Sequence, residues 1–153
     1  MFPPKEKNFM QDDKAFVDTN IVIYAYDNTA GRKHKVASRI VSDLWDSGLG
    51  VLSTQVLHEF FVSVTKKIPS PLNVKTAREI VSDLLSWDVV VVDGQCVLNG
   101  VDLHVKYKYS FWDSLIIDAA VRSGARWLLS EDFSDGQIIQ GVTITNPFQN
   151  SLK

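Results

Sequence analysis

Short apolar runs alternate with stretches of helical period along this chain, and that alternation narrows its fold more than any other feature. Ala15-Phe16-Val17, Val51-Leu52-Ser53, Val89-Val90-Val91-Val92, Trp127-Leu128-Leu129 and Val142-Thr143-Ile144-Thr145 read as strands, the valine run as a buried one. Between them, Val36, Ala37, Ile40, Val41, Leu44 and Trp45 recur at helical spacing until Ser47-Gly48. Ser53 or Thr54 can cap a second helix through Val56, Leu57, Phe60, Phe61 and Val64, ended by Pro69 and Pro71. Asn73 can cap a third, carrying Val74, Ala77, Ile80, Val81, Leu84 and Leu85. A shorter helical segment, 97–107, leads to Ser110, from which a strongly periodic helix runs to Ser123 and Gly124. Strands that alternate with helices imply an α/β fold whose mostly parallel sheet is covered on both faces.

A chain of 153 residues with 45% hydrophobic content suits one domain, expected over 14–150. Residues 1–13 hold Pro3-Pro4, Lys5-Glu6-Lys7 and Asp12-Asp13 without an apolar period, the chemistry of a flexible tail. A net charge of −2 excludes a strongly basic protein, so nucleic-acid affinity has to come from local patches or bound cations. The one cysteine, Cys96, suits a reducing cytoplasm and reads as structural. No apolar run approaches the roughly 20 residues of a membrane span.

The acids carry the chemistry. Ala15-Phe16-Val17 ends abruptly in Asp18-Thr19-Asn20, either a cap for the next helix or a strand emptying into a site beyond the sheet edge. Asp113 falls mid-stripe among Ile116, Ile117 and Ala120; it reads as a capping box with Ser110 or as an acid needing a partner. Asp118, beside Ser114 and Arg122, reads as solvated. Glu59 flanks an apolar face near the strand end at Ser53. Leu128-Leu129-Ser130-Glu131-Asp132 again ends an apolar run in acids, while Asp135-Gly136 reads as a turn whose Asp can also join them. His34, His58 and His104 read as surface residues.

Acids at two strand ends and two helix starts converge on one sheet edge, where like charges repel unless a hard cation is present. Oxygen ligands without a Cys or His pattern suit Mg²⁺ or Mn²⁺ rather than zinc. The implied chemistry is phosphodiester hydrolysis, with one or two metals.

Phe16-Val17-Asp18-Thr19-Asn20, Glu59, Phe111-Trp112-Asp113 and Leu129-Ser130-Glu131-Asp132 resemble, in order and spacing, the PIN-domain ribonucleases, above all the single-domain VapC toxins. The resemblance runs from Ala15 to Pro147. It implies a three-layer α/β/α sandwich and a Mg²⁺- or Mn²⁺-dependent endoribonuclease with Asp18, Glu59, Asp113 and Asp132 as metal-binding catalytic acids. Asn20 and Ser130 would hold those carboxylates. Thr often stands near Ser130 in that family, so Glu131 and Asp132 both remain candidates for the last acid. The same resemblance implies a homodimer and a small antitoxin partner, with Val36 or Val62 as exposed contact points.

Other classes fail on residues. A haloacid-dehalogenase-like phosphatase needs Asp-x-Asp after its first strand, where this chain has Asp18-Thr19-Asn20, and a receiver domain needs an acidic pair after that strand, where Asp12-Asp13 precede it. A non-catalytic PIN-like module that binds RNA or a protein stays open. Arg32-Lys33, Lys35, Lys66-Lys67, Lys106 and Lys108 are candidate phosphate contacts, and Tyr24, Tyr26, Tyr107 and Trp112 are candidate stacking faces, though such aromatics more often belong to a core.

Overall fold

A computed structural model describes residues 12–150, so the expected tail lies almost wholly outside the described residues. One six-stranded sheet runs through the domain: β1 (Ala15–Val17), β2 (Gly50–Ser53), β3 (Asp88–Val90), β4 (Trp127–Leu129), β5 (Ile138–Ile139) and β6 (Val142–Thr145), in the order β3-β2-β1-β4-β6-β5. Pairing is parallel except between β5 and β6. The helices are α1 (Thr19–Tyr26), α2 (Arg32–Ser47), α3 (Thr54–Val62), α4 (Val74–Leu84), α5 (Gly94–Tyr107), α6 (Phe111–Arg122) and α7 (Pro147–Asn150). Parallel crossovers are right-handed, so steps from β1 to β2 to β3 lay their helices on one face. The return from β3 to β4 runs in the opposite direction and lays α5 and α6 on the other. The result is a three-layer α/β/α sandwich.

β1 is wholly buried because strands pair on both its edges and helices cover both its faces; Ala15, Phe16 and Val17 are each 0% exposed. Its carboxyl end is therefore a place where a polar side chain leaves an apolar layer abruptly. The expected caps are in place: Ser53 accepts from Val56 N, Asn73 from Thr76 N and Ser110 from Asp113 N. Gly100 in α5 lets the helix approach α6 closely, since a Cβ there would stand 2.9 Å from Leu115.

Several sequence expectations are corrected. The valine run is an edge strand rather than a buried one: β3 stops at Val90, and Val91 is exposed. Among the described residues β3 pairs only with β2, at the edge of the sheet. α3 runs into a single π-helical turn, Ser63–Lys67, before the prolines. Gln140 and Gly141, both at positive φ (49° and 88°), form a tight hairpin turn between β5 and β6. Pro147 begins α7 rather than stopping the chain, because its missing N–H is unneeded in a first helical turn and Asn146 Oδ1 accepts from Phe148 N. Val62 is exposed as expected, whereas Val36 packs against the core. Among the described residues, no helix is long and apolar enough to cross a membrane.

Candidate functional site

Strand order locates the site. From β1 the chain steps to β2 and β3 on one side and later returns to β4 on the other, so the carboxyl ends of β1 and β4 flank the crevice at which the order reverses. Val17 pairs with Leu129, which sets Asp18 beside Ser130. Asp18 N donates to Leu129 O at 3.0 Å, and Ser130 Oγ donates to Asp18 Oδ2 at 2.7 Å.

Asp18 takes both parts left open by the sequence. Its Oδ1 accepts from Thr19 N at 2.7 Å and caps α1, while the carboxylate stays 5% exposed at the sheet edge. Burial pushes its carboxyl up to about 7; the bonds from Ser130 and Thr19 act the other way, and the negative charges of Asp132 and Asp113 raise it further.

Glu59 leaves α3 about two turns from the Ser53 cap and is half-buried. Its Oε1 accepts from Thr19 Oγ1 at 2.6 Å and its Oε2 from Gln55 Nε2 at 3.2 Å. The same Gln55 nitrogen donates to Trp112 O at 3.2 Å, fastening α3 to the first turn of α6.

Asp113 lies in that first turn. Ser110 Oγ accepts from its backbone N at 3.1 Å, so the helix is capped through the Asp113 backbone. The half-buried carboxyl is pushed up, chiefly by burial, with Asp132 and Glu59 adding to the rise and Ser110 opposing it. Asp132 is exposed; its Oδ2 accepts from Asn20 Nδ2 at 2.7 Å, and its N donates to Ser130 Oγ at 3.0 Å. Ser130 thus joins the loop after β4 to Asp18.

The neighbouring acids point elsewhere. Glu131 Oε1 accepts from Lys33 Nζ at 2.7 Å and Oε2 from Tyr24 Oη at 2.5 Å, which ties it to α1 and α2. Asp135 Oδ1 accepts from Asn146 N at 2.7 Å, and Gly136 at φ 89° completes the expected turn. His34 Nδ1 lies 2.9 Å from Tyr24 O, and His104 Nδ1 meets Tyr109 O, so both rings fasten backbone.

Asp118 is a correction. It is 4% exposed rather than solvated, and Ser114 is wholly buried, because α5 packs over the side of α6 that solvent was expected to fill. Asn99 of α5 donates to Asp118 Oδ1 at 3.0 Å, and burial pushes the Asp118 carboxyl up.

Sequence reasoning missed Thr19 and Gln55, the two residues that orient Glu59. Gln55 stands four residues before Glu59, a helical spacing that signals the contact. Thr19 reaches across the fold, and nothing local signals that.

The acids interact as charges, with Asp132 felt by both Asp18 and Asp113 and Glu59 felt by Asp113. They are not drawn into a closed cage: among the described residues, no three His, Cys, Asp or Glu side chains group closely enough to hold a metal ion. The donor chemistry nevertheless fits a hard cation. All the donors are oxygens and, among the described residues, Asp18 is buried without a cationic partner among its bonds and Asn20 Oδ1 is buried with no hydrogen-bond partner.

A family model described as "PIN domain" matches residues 15–134. The chain belongs to the PIN domain family. No curated protein matches its sequence. Solved structures share the PIN fold: a toxin–antitoxin complex from Klebsiella pneumoniae aligns at 20% identity and a TM-score of 0.64, covering 88% of this chain and 98% of that one. VapC20 of Mycobacterium tuberculosis, described as a toxin that cleaves the sarcin-ricin loop, aligns at 19% identity and 0.61, over 83% and 98%. VapBC2 of Rickettsia felis, bound to a DNA fragment from its promoter, aligns at 17% and 0.60, over 86% and 97%. At these identities the likeness is one of fold.

Proposed function

We propose that this PIN domain is a divalent-metal-dependent endoribonuclease that hydrolyses RNA phosphodiester bonds, and that it is the toxin of a toxin–antitoxin pair. The observation that carries the reading is Asp18, a buried carboxylate at the switch point, pushed up to about 7 and coupled to acids from two other parts of the chain. A buried carboxylate of this kind costs stability unless a cation offsets its charge. Asp18, Glu59, Asp113 and Asp132 would hold Mg²⁺ or Mn²⁺. When bound, such an ion acidifies water for attack and offsets charge on the phosphate.

The other residues orient the acids. Ser130 and Thr19 N fix the Asp18 carboxylate, Thr19 Oγ1 and Gln55 fix Glu59, and Asn20 holds Asp132. Fixed orientation limits the rearrangement needed at the reacting phosphate. RNA as substrate, a cognate antitoxin, a homodimer and a cytoplasmic setting rest on family membership and on the toxin–antitoxin structures that share the fold.

One observation favours a second reading, a PIN-like module that binds RNA or a protein without cutting: no three acids are closely grouped among the described residues. The two readings part on incubation of purified protein with structured RNA, single-stranded RNA and single-stranded DNA, each in EDTA, Mg²⁺ or Mn²⁺. The nuclease reading expects internal cleavage of RNA in Mg²⁺ or Mn²⁺ and none in EDTA. Binding without cleavage under every metal supports the module instead.

A further inference from the structure

We infer that Trp112 is a stacking platform for an unpaired base of the RNA beside the cut phosphate; this rests on the nuclease reading and adds the residue that receives the substrate. The structure separates Trp112 from the other aromatic candidates. Tyr24, Tyr26 and Tyr107 pack against the core, with Tyr24 edge-on to Phe148 and Tyr26 edge-on to Phe60. Trp112 is 64% exposed. Phe111 meets its ring edge-on, with centroids 5.5 Å apart and planes at 68°, steadying the indole while most of it stays in water.

Its position is set by the acids. Trp112 precedes Asp113 directly, and its carbonyl accepts from the Gln55 nitrogen that also donates to Glu59. The backbone of Trp112 is therefore held against one proposed metal ligand and adjoins another. A large apolar ring held there, outside the core formed by the described residues, offers a face that any unpaired base can cover.

Electrostatics adds a second argument. The net charge is −2 and the site itself is a cluster of acids, so the phosphate backbone alone gives weak attraction. Base stacking supplies affinity that net charge cannot. Lys106 and Lys108 are exposed and precede α6 by a few residues in the chain.

The test is a binding cycle. Labelled single-stranded RNA is titrated in Ca²⁺, a hard cation suited to oxygen ligands, against the parent, Trp112→Ala and Trp112→Phe. A parallel set of oligonucleotides carries one abasic site moved along the strand. Trp112→Ala is expected to bind intact RNA about tenfold more weakly, with Trp112→Phe close to the parent. One abasic position should weaken the parent about tenfold and add almost nothing in Trp112→Ala, the mark of a lost shared contact. Equal affinity of parent and Trp112→Ala, additive losses, or no single-strand binding overturns the inference. So does a change of oligomeric state in Trp112→Ala with RNA affinity unchanged, which assigns the ring to a contact between copies of the chain. Coupling without cleavage in Mg²⁺ or Mn²⁺ removes the nuclease reading and leaves the platform standing; cleavage without coupling does the reverse.

Discussion

The hydroxyl of Thr19 donates to Oε1 of Glu59 at 2.6 Å, joining the first residue after the sheet-edge acid to an acid on another helix. Asp18 takes its cap bond from the backbone N of the same Thr19. One residue thus orients two of the proposed metal ligands. Thr19→Val keeps the shape and removes the donor, so it is expected to cost about 1.5–3 kcal/mol, the range for a hydrogen bond to a charged group. It should also weaken Mn²⁺ binding roughly tenfold. Urea unfolding and a Mn²⁺ titration check both, and Thr19→Ser should recover most of each loss.

Asp113→Asn separates a cap from a metal ligand. Since Ser110 caps α6 through the backbone N of Asp113, the variant keeps the cap bond and loses one negative charge from a crowded site. The metal-free variant is expected to be as stable as the parent or more so, while RNA cleavage drops by orders of magnitude. Asp118→Asn is a buried control: Asn still accepts from Asn99, so cleavage should stay near the parent level. Asp118→Ala leaves Asn99 without that acceptor and should cost about 1–3 kcal/mol with cleavage retained. Thermal melts in EDTA beside cleavage assays give the comparison, and equal loss of activity at 113 and 118 would remove the assignment.

Stability of the metal-free protein should fall as pH rises. The folded chain holds the Asp18 proton up to about pH 7, whereas an unfolded chain loses it near pH 4. Between those values the folded state binds more protons, so unfolding free energy declines from about pH 4 to about pH 7 and then levels. The full decline from Asp18 is at most about 4 kcal/mol. Asp113 and Asp118, both pushed up chiefly by burial, act with the same sign. Melting in EDTA is therefore expected at a lower temperature at about pH 8 than at about pH 5.5. Asp18→Asn should flatten the slope; an unchanged slope in that variant would assign it to other groups.

Much of the fold was legible because its signals are local. The helical periods, the Ser53, Asn73 and Ser110 caps, and the alternation of strand with helix each show in a window of a few residues. The valine run misled because composition does not say whether a strand lies at an edge. Asp118 misled for a related reason: helical bookkeeping on α6 cannot see that α5 covers its polar side. At the candidate site, the placement of Asp18 and Asp132 beyond the ends of β1 and β4 was legible as apolar runs ending in acids. The separate placement of Asp132 and Glu131 was not, since it depends on Lys33 and Tyr24 taking the Glu131 carboxylate while Asn20 takes that of Asp132.

The most direct measurement of the metal-site assignment is calorimetric titration of Mn²⁺ into metal-stripped protein at about pH 6, in two buffers of different ionisation enthalpy. At that pH the Asp18 carboxyl, pushed up to about 7, is largely protonated, so an ion bound there must displace a proton. Saturable binding with a buffer-dependent heat that reports proton release, sharply weakened in Asp18→Asn, is the predicted result. No saturable binding, or the same affinity and proton release in Asp18→Asn as in the parent, would contradict it.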